Sequence, residues 1–263
     1  MYQIAFIDLD GTLLDKEQKI SKRNILAIHQ AFNKGKKIYI NSGRSPEDVR
    51  QLLKKYQLSV PFIASNGAWI EDETGFTSSF LGEENCLKIK EIAQKLNLSI
   101  VWNTSEKNYF DLNGLSLNKE KQKKLEIILE KGKAEVLELA KSKKSLILNA
   151  SLINLSGKEN SSFVKELNQI EEVEALSTST VTIDCNLKGI NKGTAISLLL
   201  KRLNISKENA LAIGDHENDL AMFDNVSFKI AMGNALDILK EKADEITQTN
   251  DEDAVALSLE KYL

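Results

Sequence analysis

Two aspartates one residue apart, Asp8 and Asp10, follow a short apolar run in the stretch IAFIDLDGTLLD. Paired negative charges at the end of a buried strand are costly unless a cation or a proton answers them. Residues two apart on an extended chain point to the same side, so the two carboxylates converge if the strand continues through them. Taken alone, the pair also suits a solvated turn or a helix N-cap. A calcium loop fails on spacing: counted from Asp8, the sixth position is Leu13 rather than Gly and the twelfth is Lys19 rather than Glu.

A second acidic group lies in GDHEND, where Asp215 ends another apolar run and Asp219 comes one helical turn later. Acids at a helix start are favoured by the helix dipole, which explains this group without any ligand. Three apolar runs nevertheless end in polar groups: Asp8 with Asp10, Asn41-Ser42-Gly43, and Asp215. In a doubly wound sheet such ends share one edge, where ligands bind. A donor set of oxygen alone suits a hard cation such as Mg2+. Magnesium usually keeps waters and a substrate phosphate, so an anion site is expected nearby. Ser42 and the Gly43 backbone N–H precede a helix opening near Pro46 and fit that need. Lys192, in NKGTA, starts another apolar helix, and Arg44 and Asn218 are further candidates, although a lone lysine ordinarily faces solvent.

Other catalytic patterns are absent from the sequence. It contains no G-x-S-x-G, no Walker A loop, and no G-x-G-x-x-G after the first apolar run. Of the two histidines, His29 falls in a predicted helix, and His216 lies beside the acidic group, where a single imidazole makes a poor metal site.

The elements that position these groups follow from periodicity. Residues 4–7, 37–41 and 61–65 are predicted strands, and 22–34 and 46–56 predicted helices, with Ser21 a helix cap and Asn66-Gly67 a turn. This alternation predicts an α/β fold with a doubly wound parallel sheet. It weakens after about residue 80. Helices are predicted near 83–97 and 162–170. Strands are predicted at 99–103, 107–112, 146–155 and 180–185, and the Lys/Glu-rich stretch 119–144 reads as solvated helix. The first pattern returns with a helix at 192–203, strands at 210–215 and 226–232, and helices at 217–223, 235–242 and 252–262. The chain therefore reads as a core formed by 1–81 and 187–263, interrupted by a separate α+β module at 82–186.

Composition narrows the function classes. The chain has 263 residues, 42% hydrophobic and 28% charged, as in ordinary globular proteins. A net charge of -3 argues against a general nucleic-acid binder, which needs a basic surface. No stretch is long and apolar enough to span a membrane, and no leader-like segment opens the chain, so a cytoplasmic location and no membrane partner are expected. Two distant cysteines, Cys86 and Cys185, do not make a disulfide framework.

D-L-D-G-T at 8–12, N-S-G-R at 41–44, N-K-G at 191–193 and G-D-x-x-N-D at 214–219, in this order, resemble the motifs of the haloacid dehalogenase superfamily. The insertion between the second and third motifs resembles the α+β cap, of the C2B type, of its Cof-type phosphatases. The resemblance implies a Rossmann-like core and a Mg2+-dependent phosphatase of small phosphorylated metabolites such as sugar phosphates. It implies Asp8 as the nucleophile that forms an aspartyl-phosphate and Asp10 as general acid and base. The Leu9 backbone, Ser42, the Gly43 backbone, Lys192 and Asn218 would hold the phosphate. Asp8, the Asp10 carbonyl and Asp215 would bind Mg2+, with Asp219 behind them. Ser42 stands where Thr is common, and His216 where a small residue is common. The same chemistry with another acceptor gives a phosphomutase or phosphotransferase. A non-enzymatic phospho-aspartate switch shares the acids, hydroxyl and lysine, but not the insertion or Asp10.

Overall fold

The computed structural model of the chain describes residues 2–111 and 146–263. Strand β1 (Ile4–Ile7) is buried throughout. It leads through α1 (Lys22–Asn33) to β2 (Lys37–Asn41), and through α2 (Pro46–Lys55) to β3 (Phe62–Ala64). Two further strands, β4 (Trp69–Asp72) and β5 (Gly75–Ser78), complete this side of the sheet. Later in the chain, α5 (Lys192–Leu203) precedes β11 (Ala210–Gly214), followed by α6 (Leu220–Phe223), β12 (Phe228–Ala231), α7 (Asp237–Lys240), β13 (Glu245–Ile246) and α8 (Ala254–Tyr262). Among the described residues these strands form one sheet in the order β13-β12-β11-β1-β2-β3-β4-β5. β1 runs parallel to both neighbours, with Ile4 opposite Lys37 of β2 and Ala210 of β11. Continuous apolar strands such as these belong in a parallel sheet covered on both faces.

From β1 the chain winds outward to β2 and β3, then returns to build β11, β12 and β13 on the other side of β1. The winding direction therefore reverses between β1 and β11. Loops leaving these two strands at their carboxyl ends diverge and leave a crevice, the general ligand site of open α/β sheets. Asp8 follows β1 and Asp215 follows β11, so the topology alone brings these acids to that crevice.

The remaining described residues build a second sheet. It contains β6 (Ser99–Asn103), β7 (Asn108–Asp111), β8 (Asn149–Ile153), β9 (Val173–Ser177) and β10 (Thr182–Leu187), in the antiparallel order β7-β6-β8-β10-β9. Helices α3 (Glu83–Leu96) and α4 (Ser161–Leu167) pack on one face, where Ile100, Trp102, Leu152, Ile183 and Cys185 form the core with Ile89 and Phe163. Alternation along each strand produces this apolar face. The chain divides into two compact units, one of Met1–Arg44, Asp48–Thr77 and Asn191–Leu263, the other of Ser45–Glu47 and Ser78–Ile190. Cys86 and Cys185 are buried and not joined by a disulfide.

Several expectations are refined. The helix predicted at 217–223 is a single 3-10 turn, Glu217–Asp219, running into the short α6. Strands β4, β5, β9 and β13 were not visible as periodic runs. β13 has only two residues, and β5 is mostly exposed, so neither carries an apolar signature. The expectation of a solvated helix at 119–144 lies outside the described residues.

Gly193 fixes the packing of α5 on α6. A Cβ there would lie 2.0 Å from the Ala221 carbonyl oxygen and 2.5 Å from the Asn225 amide nitrogen. Backbone on the facing helix cannot yield cheaply, and overpacking of this kind costs about 1–3 kcal/mol. Gly193→Ala should lower the urea midpoint of unfolding despite the better helix propensity of alanine. An unchanged or higher midpoint would show that α6 shifts freely.

Candidate active site

The site is assembled from four loops at the carboxyl edge of the parallel sheet. Asp8, 5% exposed, is the first residue after β1 and receives the Lys192 ammonium on Oδ1 at 2.5 Å. The same Nζ donates to Asp219 Oδ1 at 2.7 Å. Lys192 is only 1% exposed, so the ordinary solvent-facing reading of a lone lysine does not apply here. Its placement comes from the start of α5. Asn191 caps the helix by accepting from the Gly193 and Thr194 N–H groups, and Thr194 Oγ1 accepts from the Asn191 N–H. Asn41, at the end of β2, donates its side-chain amide to the Lys192 carbonyl at 3.1 Å. The lysine is thereby tied to the central sheet.

Asp219 is fully buried, and its other oxygen accepts the backbone N–H groups of Asp215 and His216 at 2.9 and 3.1 Å. The loop after β11 thus folds back on itself, and only glycine fits at 214, where a Cβ would lie 2.6 Å from Asp219 Oδ2. Asp215 accepts the Thr12 hydroxyl at 2.8 Å. Gly11, at φ +82°, turns the loop after β1 in the left-handed region and lets it approach within what would be 2.2 Å of Asp215 Oδ2 for a Cβ. Asp8, Asp215 and Asp219 each place one carboxylate oxygen within 4.8 Å of the others. The sequence reading put Asp219 behind the cation ligands; here it shares the cluster and also holds Lys192.

Asp8 and Asp10 do not converge on common partners. β1 ends at Ile7, and the left-handed turn at Gly11 follows, so no extended strand carries both. The Asp10 side chain, 48% exposed, faces Arg44, whose Nε and Nη2 donate to its two oxygens at 2.7 and 2.5 Å. Ser42 is buried, and its hydroxyl accepts the Arg44 N–H at 3.1 Å. Leu9, between Asp8 and Asp10 in sequence, is buried, and Gly43 lies in the loop between β2 and α2. Asn218 donates to the Asn66 side-chain carbonyl at 3.2 Å, and Asn66 itself sits at φ 51° in a turn next to Ser65 at φ 48°. Consecutive left-handed non-glycine residues store strain and often mark functional loops. Thr12, within the first motif, Gln18, and Asn66, expected only as part of a turn, become partners here through the fold.

The electrostatics follow from burial. Three carboxylates against one ammonium leave two negative charges in a space of low polarity. Burial pushes the Asp8 carboxyl well up, against the lowering influence of Lys192. Burial, then the Asp219 charge, pushes the Asp215 carboxyl up to about 7. Burial opposes the Lys192 charge, but Asp219 and Asp8 outweigh it and hold the ammonium firmly protonated. Burial also lowers the His216 imidazole, whose Nδ1 has no hydrogen-bond partner among the described residues. A divalent cation with an all-oxygen preference matches both the donor set and the uncompensated charge.

The family described as haloacid dehalogenase-like hydrolase matches residues 5–259. Two Bacillus subtilis (strain 168) proteins named 5-amino-6-(5-phospho-D-ribitylamino)uracil phosphatase are similar. One is 31% identical over 99% of this chain and 96% of its own, the other 30% identical over 98% and 96%. The solved structure of a haloacid dehalogenase-like hydrolase from B. subtilis superposes with a TM-score of 0.85 at 25% identity, covering 99% of this chain and all of that one.

The buried acids predict a pH dependence. Asp215 holds its proton up to about 7 when folded but only to about 3.9 when unfolded. Its contribution to stability is therefore complete below about pH 4 and lost as pH rises through 7. Asp8 acts in the same direction. Chelator-treated protein should lose on the order of 2–4 kcal/mol between pH 5 and 7.5 in urea titrations, and Mg2+ should restore stability mainly at the higher pH. Stability that is flat across this interval would contradict the charge arrangement.

Proposed function

We propose, from the premise that the chain belongs to the haloacid dehalogenase-like hydrolase family and is a phosphoric monoester hydrolase, that it cleaves small phosphate esters by phosphoryl transfer to Asp8. The observation that carries this reading is the buried clamp of Lys192 on Asp8 and Asp219, beside Asp215. A carboxylate needs no general base to become a nucleophile, because it is ionised at neutral pH once its charge is answered. Its difficulty is repulsion from the incoming phosphate, and Lys192 answers part of it.

Asp8, the Asp10 backbone carbonyl and Asp215, with Asp219 alongside, are the groups assigned to hold Mg2+. Bound there, Mg2+ supplies positive charge to the phosphate oxygens and to Asp8. The rest is the work of the chain's own residues. Lys192, the Ser42 hydroxyl, the Asn218 amide and the Leu9 and Gly43 backbone N–H groups hold the phosphate. The Ser42 hydroxyl, already accepting from the Arg44 N–H, has its own proton to donate. An Asp8 oxygen bonds to phosphorus as the ester oxygen departs, and Asp10 gives that oxygen a proton. Water then attacks the phosphorus, Asp10 takes its proton, and the bond to Asp8 breaks to release phosphate. To the inserted segment 82–186 we assign the choice among phosphate esters. The ribityl phosphate in the names of the two Bacillus relatives makes phosphorylated polyols and sugars the first compounds to screen.

Turnover of p-nitrophenyl phosphate tests this reading. Activity should vanish with EDTA and return with Mg2+. Asp8→Asn should lose roughly 10³-fold or more in kcat, and Asp215→Ala should raise the Mg2+ concentration needed for rescue. Full activity without divalent cations, or an active Asp8→Asn variant, would overturn it.

A further inference from the structure

Arg44 pairs with Asp10 and is not among the groups assigned to hold the phosphate or the cation. Both ends of its backbone are pinned: its N–H donates to the Ser42 hydroxyl at 3.1 Å, and its carbonyl accepts the Ser65 N–H at 2.8 Å. Its guanidinium grips both oxygens of Asp10, and Nη2 also donates to Gln18 Oε1. Gln18 is itself held in the left-handed region, at φ 59°. Two loops therefore meet at one guanidinium: that between β1 and α1, which carries both Asp10 and Gln18, and that after β2.

An ion pair this exposed contributes at most about 1 kcal/mol to folding. Its geometry is nonetheless specific. A planar fork fixes the position and the plane of a carboxylate together, which a lysine cannot do. Asp10 needs such help more than the other acids. It follows the strand instead of lying in it, precedes the left-handed Gly11, and its side chain is half exposed. Asp8, Asp215 and Asp219 are held by burial and by Lys192, Thr12 and backbone N–H groups.

We propose that Arg44, braced by Gln18, is a positioning residue that orients the Asp10 carboxylate to take the proton from the hydrolytic water. The inference rests on the aspartyl-phosphate reading. Arg44 only donates, so both Asp10 oxygens face it as acceptors, the role Asp10 has in breakdown of the phosphoenzyme. Departure of p-nitrophenol, a good leaving group, makes little demand on it.

The test is pre-steady-state turnover of p-nitrophenyl phosphate with Mg2+ by wild type, Asp10→Asn, Arg44→Gln, Arg44→Lys, Gln18→Ala and the double variant Asp10→Asn with Arg44→Gln. Misplacing a reacting group by about 1 Å costs on the order of 10²-fold. Arg44→Gln should therefore lower steady-state kcat by roughly 10–100-fold, release a burst of p-nitrophenol near one per site, and lower KM in proportion, leaving kcat/KM within about threefold. Arg44→Lys should not restore the rate, and Gln18→Ala should show a smaller loss of the same kind. The double variant should be no slower than Asp10→Asn, because the two groups act through one carboxylate. Multiplying losses, a proportional fall without a burst, or a raised KM with unchanged kcat would overturn the assignment. The last would make Arg44 a phosphate ligand. If Asp10→Asn itself gives no burst and no phosphoenzyme, the aspartyl-phosphate reading fails instead; if it gives both and Arg44→Gln gives neither, only the role of Arg44 fails.

Discussion

One buried ammonium sets the terms for this fold. Lys192 is taken out of water and given two carboxylates, Asp8 and Asp219, at 2.5 and 2.7 Å. Desolvating such an ion costs several kcal/mol, and breaking a buried pair by removing one partner costs about 3–5 kcal/mol. The surrounding architecture can be understood as what holds that pair in register. β1 and β11 must be neighbours for Asp8 and the Asp215–Asp219 loop to meet. The capped start of α5 and the Asn41 amide fix the lysine backbone. Gly11 and Gly214 let carboxylates come closer to backbone than any side chain would permit.

The clamp answers only part of the charge. Three acids surround one ammonium, and burial raises the Asp8 and Asp215 carboxyls as a consequence. A site built this way is poised for more positive charge. That is what a divalent cation brings, and it explains why the cluster contains oxygen donors and no thiol. The two aspartates of the first motif, separated only by Leu9, live in different environments. Asp8 is buried among charges, whereas Asp10 is half exposed and gripped by a guanidinium. A nucleophile needs fixed position and answered charge; a proton carrier needs contact with water and a defined orientation. The end of β1 at Ile7, with the chain turning at Leu9, separates the two environments within three residues.

Much of this was legible in the sequence because it is local. Apolar runs marked β1, β2, β3 and β11, and helical spacing marked α5 at its observed bounds. Polar residues just past strand ends pointed to the sheet edge. What was not legible depends on partners distant in the chain. Lys192 looks like a surface lysine until Asp8, 184 positions earlier, is brought to it. The expected convergence of Asp8 and Asp10 assumed an extended strand through both, whereas β1 ends at Ile7. Arg44 finds Asp10 and Gln18 only because two loops meet, and no periodicity encodes that. Short or half-exposed strands such as β13 and β5 bury too little apolar surface to leave a pattern.

The central claim is that the phosphoryl group resides on Asp8 during turnover. Rapid acid quench of the Mg2+-loaded Asp10→Asn enzyme with p-nitrophenyl phosphate, followed by peptide mapping, tests it most directly. The account predicts one acid-stable, hydroxylamine-labile phosphoryl group on the peptide containing Asp8. A phosphoryl group mapped to Ser42, or sustained turnover with no covalent adduct at any quench time, would contradict it.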